Sequence, residues 1–469
     1  MKESYFFVGV AGVGMSALAQ FLAGRGVEVA GSDRRFSAED STQVKRQLEA
    51  KGVKCFLQDG SGIHAELTAV VVSTAIEQGN PDLEKAKKLS VPVMHRSELL
   101  AKITLENPTI AVSGTSGKST VTGLIWHILN FAGKNSGLLS GAGLVELEEK
   151  GEIGNAAAGK NNGYLVAEAD ESDGSLVRYS PKIGVILNID KDHKELSELR
   201  DIFNVFADNV KKCGGVLIVN EKLNFDNSVK FGWGNAVLLG DPANGSESTI
   251  QGENFSVKGF GVEFSVKGVN FYLPALGKHN AENALAAIAV CLQVGISLEI
   301  CASALKTWKG IHRRSQIYPL KNGVILVDDY AHNPAKIAAS IRSCQQICKA
   351  GVAGGKLFAW FQPHGFGPTK FLKDDLIEEI SNALRTGDSI WFSSIYYAGG
   401  TADRSFNSDI LADGIAKNNC EAHFIPDRDE CLKEILSLAK SGDVILLMGA
   451  RDPSLAEFAK KIVGCENLY

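Results

Sequence analysis

The chain has no Cys-x-x-Cys pair. Its nine cysteines, at positions 55, 213, 291, 301, 344, 348, 420, 431 and 465, are scattered. Cys344 and Cys348 have helical i,i+4 spacing, but no neighbouring pair completes a zinc site. An odd number without a framework excludes a disulfide scaffold and reads as reduced thiols in a cytoplasmic protein. A broad basic field is also missing. The 49 Lys and Arg stand against 54 Asp and Glu, a formal charge of −5, which argues against a nucleic-acid partner. No low-complexity tract or short-period repeat occurs. Tyr5 to Gly24 is free of charge over a length able to span a bilayer. Its Gly9, Gly12, Gly14 and Gly24, with Ser16 and Gln20, instead suit a soluble strand–turn–helix, and Glu3 spoils the basic flank of a signal peptide.

What remains is ordinary for a globular protein: 45% apolar and 22% charged residues. A length of 469 residues suggests roughly three domains. The most informative stretch is Ala111-Val-Ser-Gly114-Thr115-Ser116-Gly117-Lys118-Ser119-Thr120. An apolar strand precedes it, and Val121 to Phe131 reads as a helix. Such a unit aims free backbone N–H groups and the positive end of a helix dipole at one point, which suits a polyphosphate. Lys118 would reach the outer phosphates and the Ser119 hydroxyl would ligand Mg²⁺. The strict phosphate-loop spacing fails, because Val112 stands where the first Gly belongs.

Upstream, Tyr5–Val10 reads as a buried strand, Met15–Ala23 as a helix and Val27–Asp33 as a second strand. Asp33 follows Gly14 by 19 residues, the layout of a dinucleotide-type βαβ unit. Ala11 replaces the second Gly of that motif, and the acid could meet a ribose hydroxyl or cap the next helix. Taken alone, this unit also allows an NAD(P)-dependent dehydrogenase. Val70–Ala75 continues the sheet, and Asn107-Pro108 marks a boundary.

Downstream, Tyr164–Ala167 leads into Glu168, Asp170, Glu171 and Asp173. Ile183–Ile189 is another strand, with Asp190-Lys-Asp-His193 past its end. Groups at strand C-termini line the ligand crevice of an open α/β sheet, so Glu168 and His193 are placed to meet a metal held by the phosphate loop. Asp170, Glu171 and Asp173 read singly as solvated loop acids. A helix is expected over Ala281–Val294, with Asn280 and Asn283 on one face of its first turn and Asn280 a possible N-cap. After a hinge-like Trp308–Gln316, strands and helices alternate again, starting with a strand ending in Asp328-Asp329. That alternation argues a mainly parallel sheet.

These segments, in this order, resemble the Mur ligases. The resemblance rests on Gly9–Ser16 with Gly31-Ser-Asp33, Val72–Ile76, Gly114–Thr120, Glu168–Asp173, Asn188–His193, Gly277–Asn283, Gly310–Gln316, Asp328–Pro334 and Phe361-Gln-Pro-His364. It implies an α/β fold of three domains: a Rossmann-like UDP-binding domain over 1–105, a central P-loop-type ATPase domain over 106–315 and a C-terminal Rossmann-like domain over 316–469. It implies ATP and Mg²⁺ as cofactors and UDP-N-acetylmuramate as acceptor. The amine would be an amino acid, L-alanine, or a ready-made peptide. The acceptor carboxylate would attack the γ-phosphate, and the amine would then capture the acyl phosphate.

By the same resemblance, Gly114 to Thr120 bind ATP together with Asn280, Asn283, Arg314, Asp329, His332 and Asn333. Lys118, Glu168, His193, Arg314 and Asp329 would be catalytic, and Ser119, Glu168 and His193 would hold metal. Gly12, Val13, Gly14, Met15, Asp33, Ser73 and Thr74 match the UDP-substrate site, and Tyr330, His332, His364 and Arg451 the amine site. Where the family usually carries Arg-Tyr-x-Arg after Phe-Gln-Pro-His, this chain has Gly365-Phe-Gly-Pro368. Arg451 is the residue offered in place of the lost charge.

Overall fold

A computed structural model describes residues 3–37, 42–171, 175–190, 196–233, 249–348, 354–397 and 404–465. The chain forms two compact units. The first takes in residues 1–254, 264–272 and 282–311; the second takes in 255–263, 273–281 and 312–469.

The first unit holds two sheets. The N-terminal one is all parallel, in the order Lys54–Phe56, Glu28–Ser32, Ser4–Val8, Ala69–Val72, Val93–His95. Tyr5, Phe6, Phe7 and Val8 are buried on both faces, as a parallel strand between helical layers requires. The uncharged run therefore folds as a strand and the helix Val13–Gly24, and no helix among the described residues is long and apolar enough to cross a membrane.

The larger sheet has eight strands, with Ile183–Ile186, Thr109–Ser113 and Leu165–Glu168 side by side near its middle. All its pairings are parallel except Gly137–Leu139 against Ala156–Ala157. Helix Val13–Gly24 joins the two sheets through one apolar cluster, in which its Leu18 and Phe21 lie with Leu139, Ala156 and Leu165. The approach is close: a Cβ on Gly24 would stand 2.6 Å from the Ala158 Cβ. Any side chain at position 24 would force Ala158 or the helix end to shift.

The second unit is built on a six-stranded sheet, Gln316–Pro319, Ile325–Asp329, Val444–Gly449, Leu357–Gln362, Ser389–Phe392, Glu421–Phe424. Its first strand is antiparallel and the rest are parallel. Cys344 and Cys348 are buried in the helix Pro334–Cys348, and the described cysteines are free thiols.

Candidate active site

Register alone sets the centre of the first unit's site. Strand Thr109–Ser113 pairs Val112 with Glu168 on one side and Ser113 with Ile186 on the other. The loop Gly114–Gly117 thus leaves the sheet between the ends of two neighbouring strands, the usual ligand crevice of a parallel sheet. Gly114 (φ +135°) and Gly117 (φ +87°) supply the left-handed turns. Gly117 is the N-cap of the helix Lys118–Phe131. A Cβ on Gly117 would lie 2.6 Å from Asn283 Oδ1, so this position also lets the loop meet the asparagine closely.

Asn188 clamps the loop. Its Oδ1 accepts from Ser116 N (2.8 Å) and Thr115 Oγ1 (2.7 Å), and its Nδ2 donates to Ser116 O (3.0 Å). This clamp explains why the strand expected to run to Ile189 stops at Ile186. The Leu187 N–H still donates to Ser113 O, but Asn188 turns to the loop. Nothing in the sequence marked Asn188 for that task.

Lys118 is bent back into the protein. Its Nζ donates to Gly114 O (2.9 Å) and Glu171 Oε2 (2.8 Å), with Asp170 Oδ1 at 3.6 Å. Burial disfavours the ammonium, but the carboxylates of Glu171, Asp170 and Glu168 outweigh it and hold its pKa above the ordinary lysine value. Glu171 is therefore not the solvated acid expected: its side chain is 7% exposed against 41% for Asp170. A buried carboxylate needs a partner, and Lys118 provides it. Asp173 and His193 lie outside the described residues.

Glu168 ends its strand and accepts from Gly141 N (2.7 Å) through Oε2. Ser119 is buried at the second position of the loop helix and Thr120 follows it. Hydroxyl and carboxylate oxygens are hard donors of the kind Mg²⁺ takes. Among the described residues no group of three His, Cys, Asp or Glu side chains forms a metal cluster. Asn280 lies inside the helix Lys278–Gln293 and donates to Leu276 O (2.8 Å), so it is not an N-cap.

In the N-terminal sheet, Gly12 caps the helix that begins Val13-Gly14-Met15. Asp33 braces the glycine loop: Oδ2 accepts from Ala11 N (3.1 Å), and Oδ1 from the N–H and Nε of Arg35. Ser73 and Thr74 form a turn after the strand Ala69–Val72, and Ile76 of that turn reaches the space beside Gly9. Sequence reasoning missed Arg96, whose Nη1 stands 3.0 Å from where a Gly14 Cβ would be.

In the second unit, Asp329 pairs with Met448 and Gln362 with Gly449. The three strand ends bring Asp329-Tyr330, Gly449–Arg451 and Gln362–His364 together. Asp329 accepts from Ser315 N and Oγ (both 2.7 Å) and from Ala331 N (2.7 Å). Arg314 lies over the Tyr330 ring, its Cζ 4.9 Å from the centroid. Its neighbour Arg313 is the buried arginine, with Nε 3.1 Å from both Asp328 oxygens and Nη2 donating to Gly449 O. Arg313 and Ser315 take left-handed backbone conformations (φ +53° and +50°), and the Arg313 Cζ also lies 5.6 Å from the Tyr330 centroid.

The rings of Tyr330, His332 and His364 follow one another at 5.6 and 5.5 Å. Burial pushes the His332 imidazole down to about 4, with Lys336, His364 and Arg314 adding to the effect. Asn333 Oδ1 accepts from Lys336 N at the start of the following helix. Arg451 is exposed, left-handed (φ +62°), and its N–H donates to the Tyr330 hydroxyl at 3.4 Å.

Three family profiles match the chain: "Mur ligase family, catalytic domain" over residues 4–107, "Mur ligase middle domain" over 112–291 and "Mur ligase, glutamate ligase domain" over 313–451. The chain is 33% identical over 464 residues to the UDP-N-acetylmuramate–L-alanine ligase of Acaryochloris marina, covering 95% of this chain and 92% of that one. It is 34% identical over 466 residues to the protein of the same name from Dictyoglomus turgidum, covering 95% and 93%. The crystal structure of UDP-N-acetylmuramate-alanine ligase MurC from Thermotoga maritima has the same fold, with a TM-score of 0.76 at 22% identity over 99% of both chains.

Proposed function

Because the chain belongs to the Mur ligase family, we propose that it is an ATP-dependent amide ligase joining L-alanine to the carboxylate of UDP-N-acetylmuramate, a step of peptidoglycan precursor synthesis. The observation that carries this reading is the clamped loop Gly114–Gly117, with Lys118 and Ser119 at the head of its helix and Glu168 in register beside it. Domain limits at 105/106 and 315/316 go with the reading, as does a cytoplasmic location.

The chemistry follows from the groups present. The N-terminus of the helix Lys118–Phe131 takes the ATP phosphates. Lys118 leaves Glu171 for the outer phosphates and neutralises charge as the γ-phosphoryl group moves to the acceptor carboxylate, releasing ADP. The amine of L-alanine then attacks the acyl carbonyl, the tetrahedral adduct expels phosphate, and the amine proton is lost to give the amide. Ser119 and Glu168 would hold Mg²⁺, with His193 near a second ion. When bound, that metal supplies positive charge at the phosphate oxygens. Arg314, Asp329, Asn280, Asn283, His332 and Asn333 are assigned to the nucleotide. Gly12–Met15, Asp33, Ser73 and Thr74 are assigned to the UDP-substrate, and Arg96 adds positive charge beside their loop. Tyr330, His332, His364 and Arg451 form the proposed amine surface.

The test is phosphate release with ATP, Mg²⁺ and UDP-N-acetylmuramate against a panel of amino acids and the tripeptide L-Ala–γ-D-Glu–meso-diaminopimelate. L-Alanine is expected to turn over. Turnover with the tripeptide alone would overturn the L-alanine assignment, and silence across the panel would overturn UDP-N-acetylmuramate as acceptor.

A further inference from the structure

One buried side chain, Asn155, ties the glycine loop of the N-terminal sheet to the strand end that carries Glu168. It is 1% exposed and lies just before the strand Ala156–Ala157. Its Nδ2 donates to Val13 O (2.8 Å) and Ser16 Oγ (3.0 Å). Its Oδ1 accepts from Gln20 Nε2 (2.9 Å). Its backbone carbonyl accepts from Ser140 N (2.9 Å), and the next amide, Gly141 N, donates to Glu168 Oε2 (2.7 Å). Three hydrogen bonds, joined through Asn155 itself and through Ser140, thus link the Val13 carbonyl to the Glu168 carboxylate.

Two points separate this from simple packing. The seam between the helix Val13–Gly24 and residues 156–158 is already closed by apolar contact, including the Gly24–Ala158 approach. A buried amide adds little to such a seam by area, but it fixes geometry, because each of its bonds is costly to leave unmade. The donor pair of Asn155 also lands on the first turn of the helix whose N-cap is Gly12, not on its middle. Any ligand that shifts Val13 at the glycine loop therefore moves the partner of Asn155. Ser140-Gly141, just past the strand that pairs with Leu165–Glu168, would carry that shift to the Glu168 carboxylate.

We propose that Asn155 is a positioning residue that couples the UDP-substrate loop to Glu168, so that UDP-substrate and nucleotide bind cooperatively. The inference rests on the function proposed above. Calorimetry on the full chain measures it, with UDP-N-acetylmuramate titrated in the presence and absence of Mg²⁺ and a non-hydrolysable ATP analogue. In the unaltered protein the nucleotide is expected to tighten UDP-substrate binding about fivefold or more, and in Asn155→Ala that factor should fall to about one while the affinity for nucleotide alone stays within about twofold. Ser16→Ala removes one acceptor and leaves the other bonds of Asn155 in place. It should give an intermediate factor, and it decides the matter by the same criterion if Asn155→Ala does not fold. An unchanged factor in a folded variant overturns the proposal and leaves the ligase reading standing. Equal weakening of both ligands with the ratio preserved shows a structural role only and also overturns it. Failure of the unaltered chain to bind UDP-N-acetylmuramate overturns the functional reading itself.

Discussion

Replacing Glu171 by Gln should tighten nucleotide binding while it weakens the ligand-free protein. In that protein Lys118 is occupied: its Nζ is 2.8 Å from Glu171 Oε2, and the two side chains are 13% and 7% exposed. A phosphate can reach Lys118 only by taking it from Glu171, whose charge also repels the triphosphate. Removing one partner of a buried pair costs about 3–5 kcal/mol when the other charge is left alone. Here Lys118 keeps Gly114 O at 2.9 Å and Asp170 at 3.6 Å, and Gln keeps a neutral acceptor. The net loss should then be about 1–2 kcal/mol, nearer the worth of a hydrogen bond to a charged group. Nucleotide binding no longer has to break that pair, so its Kd should fall about five- to thirtyfold. Calorimetry with a non-hydrolysable ATP analogue reads the gain, and the lowest thermal transition of the ligand-free chain reads the loss. The sign with pH also follows. Folding raises the Lys118 pKa above 10.5, so the pair's contribution is full below that pH and is lost as pH climbs through the folded value. The alkaline fall in stability should flatten in the variant. An unchanged or weaker nucleotide affinity would refute the reasoning, because Glu171 would then not compete with phosphate for Lys118.

Lys118→Ala should abolish turnover yet leave UDP-N-acetylmuramate binding intact, since the two ligands are assigned to different sheets; loss of both in calorimetry contradicts that assignment. Glu168→Gln should raise the Mg²⁺ concentration needed for half-maximal rate, and an unchanged Mg²⁺ titration would remove Glu168 from the metal site. Arg313→Met leaves the 1%-exposed Asp328 without its partner and should cost the second unit about 3–5 kcal/mol in urea unfolding; restoring stability by also changing Asp328→Leu would trace the loss to the orphaned charge. His332 titrates at about 4 in the folded protein against 6.5 as an ordinary histidine. The unfolded chain takes up its proton first, and stability should drop as pH falls from 6.5 towards 4. His332→Gln should lose that share of the acid dependence, and an unaltered pH–stability curve would exclude His332 as its source.

The sequence by itself determined the elements whose signals are local. Uncharged apolar runs had to become buried parallel strands, and the glycines after them had to make tight turns. The phosphate loop was legible despite Val112, because Gly114 and Gly117 take the positive φ angles that the turn needs. Strand, loop and helix all lie within about twenty residues of one another there. Contact across long sequence separation was not legible. Asp170 and Glu171 look alike in the sequence, and only the packing of the loop makes Glu171 a buried partner of Lys118 while Asp170 stays half exposed. Arg313 and Arg314 are adjacent and chemically identical. Both guanidiniums lie by the Tyr330 ring, and only the fold gives Arg313 the buried Asp328 as well. Asn188 and Asn155 are plain polar residues in the sequence, 72 and 142 positions from Ser116 and Val13. Their partners are set by strand order and register, which bring strand ends distant in sequence to one edge of a sheet. That placement belongs to the folded chain, because it depends on which strands pair rather than on what each strand is made of.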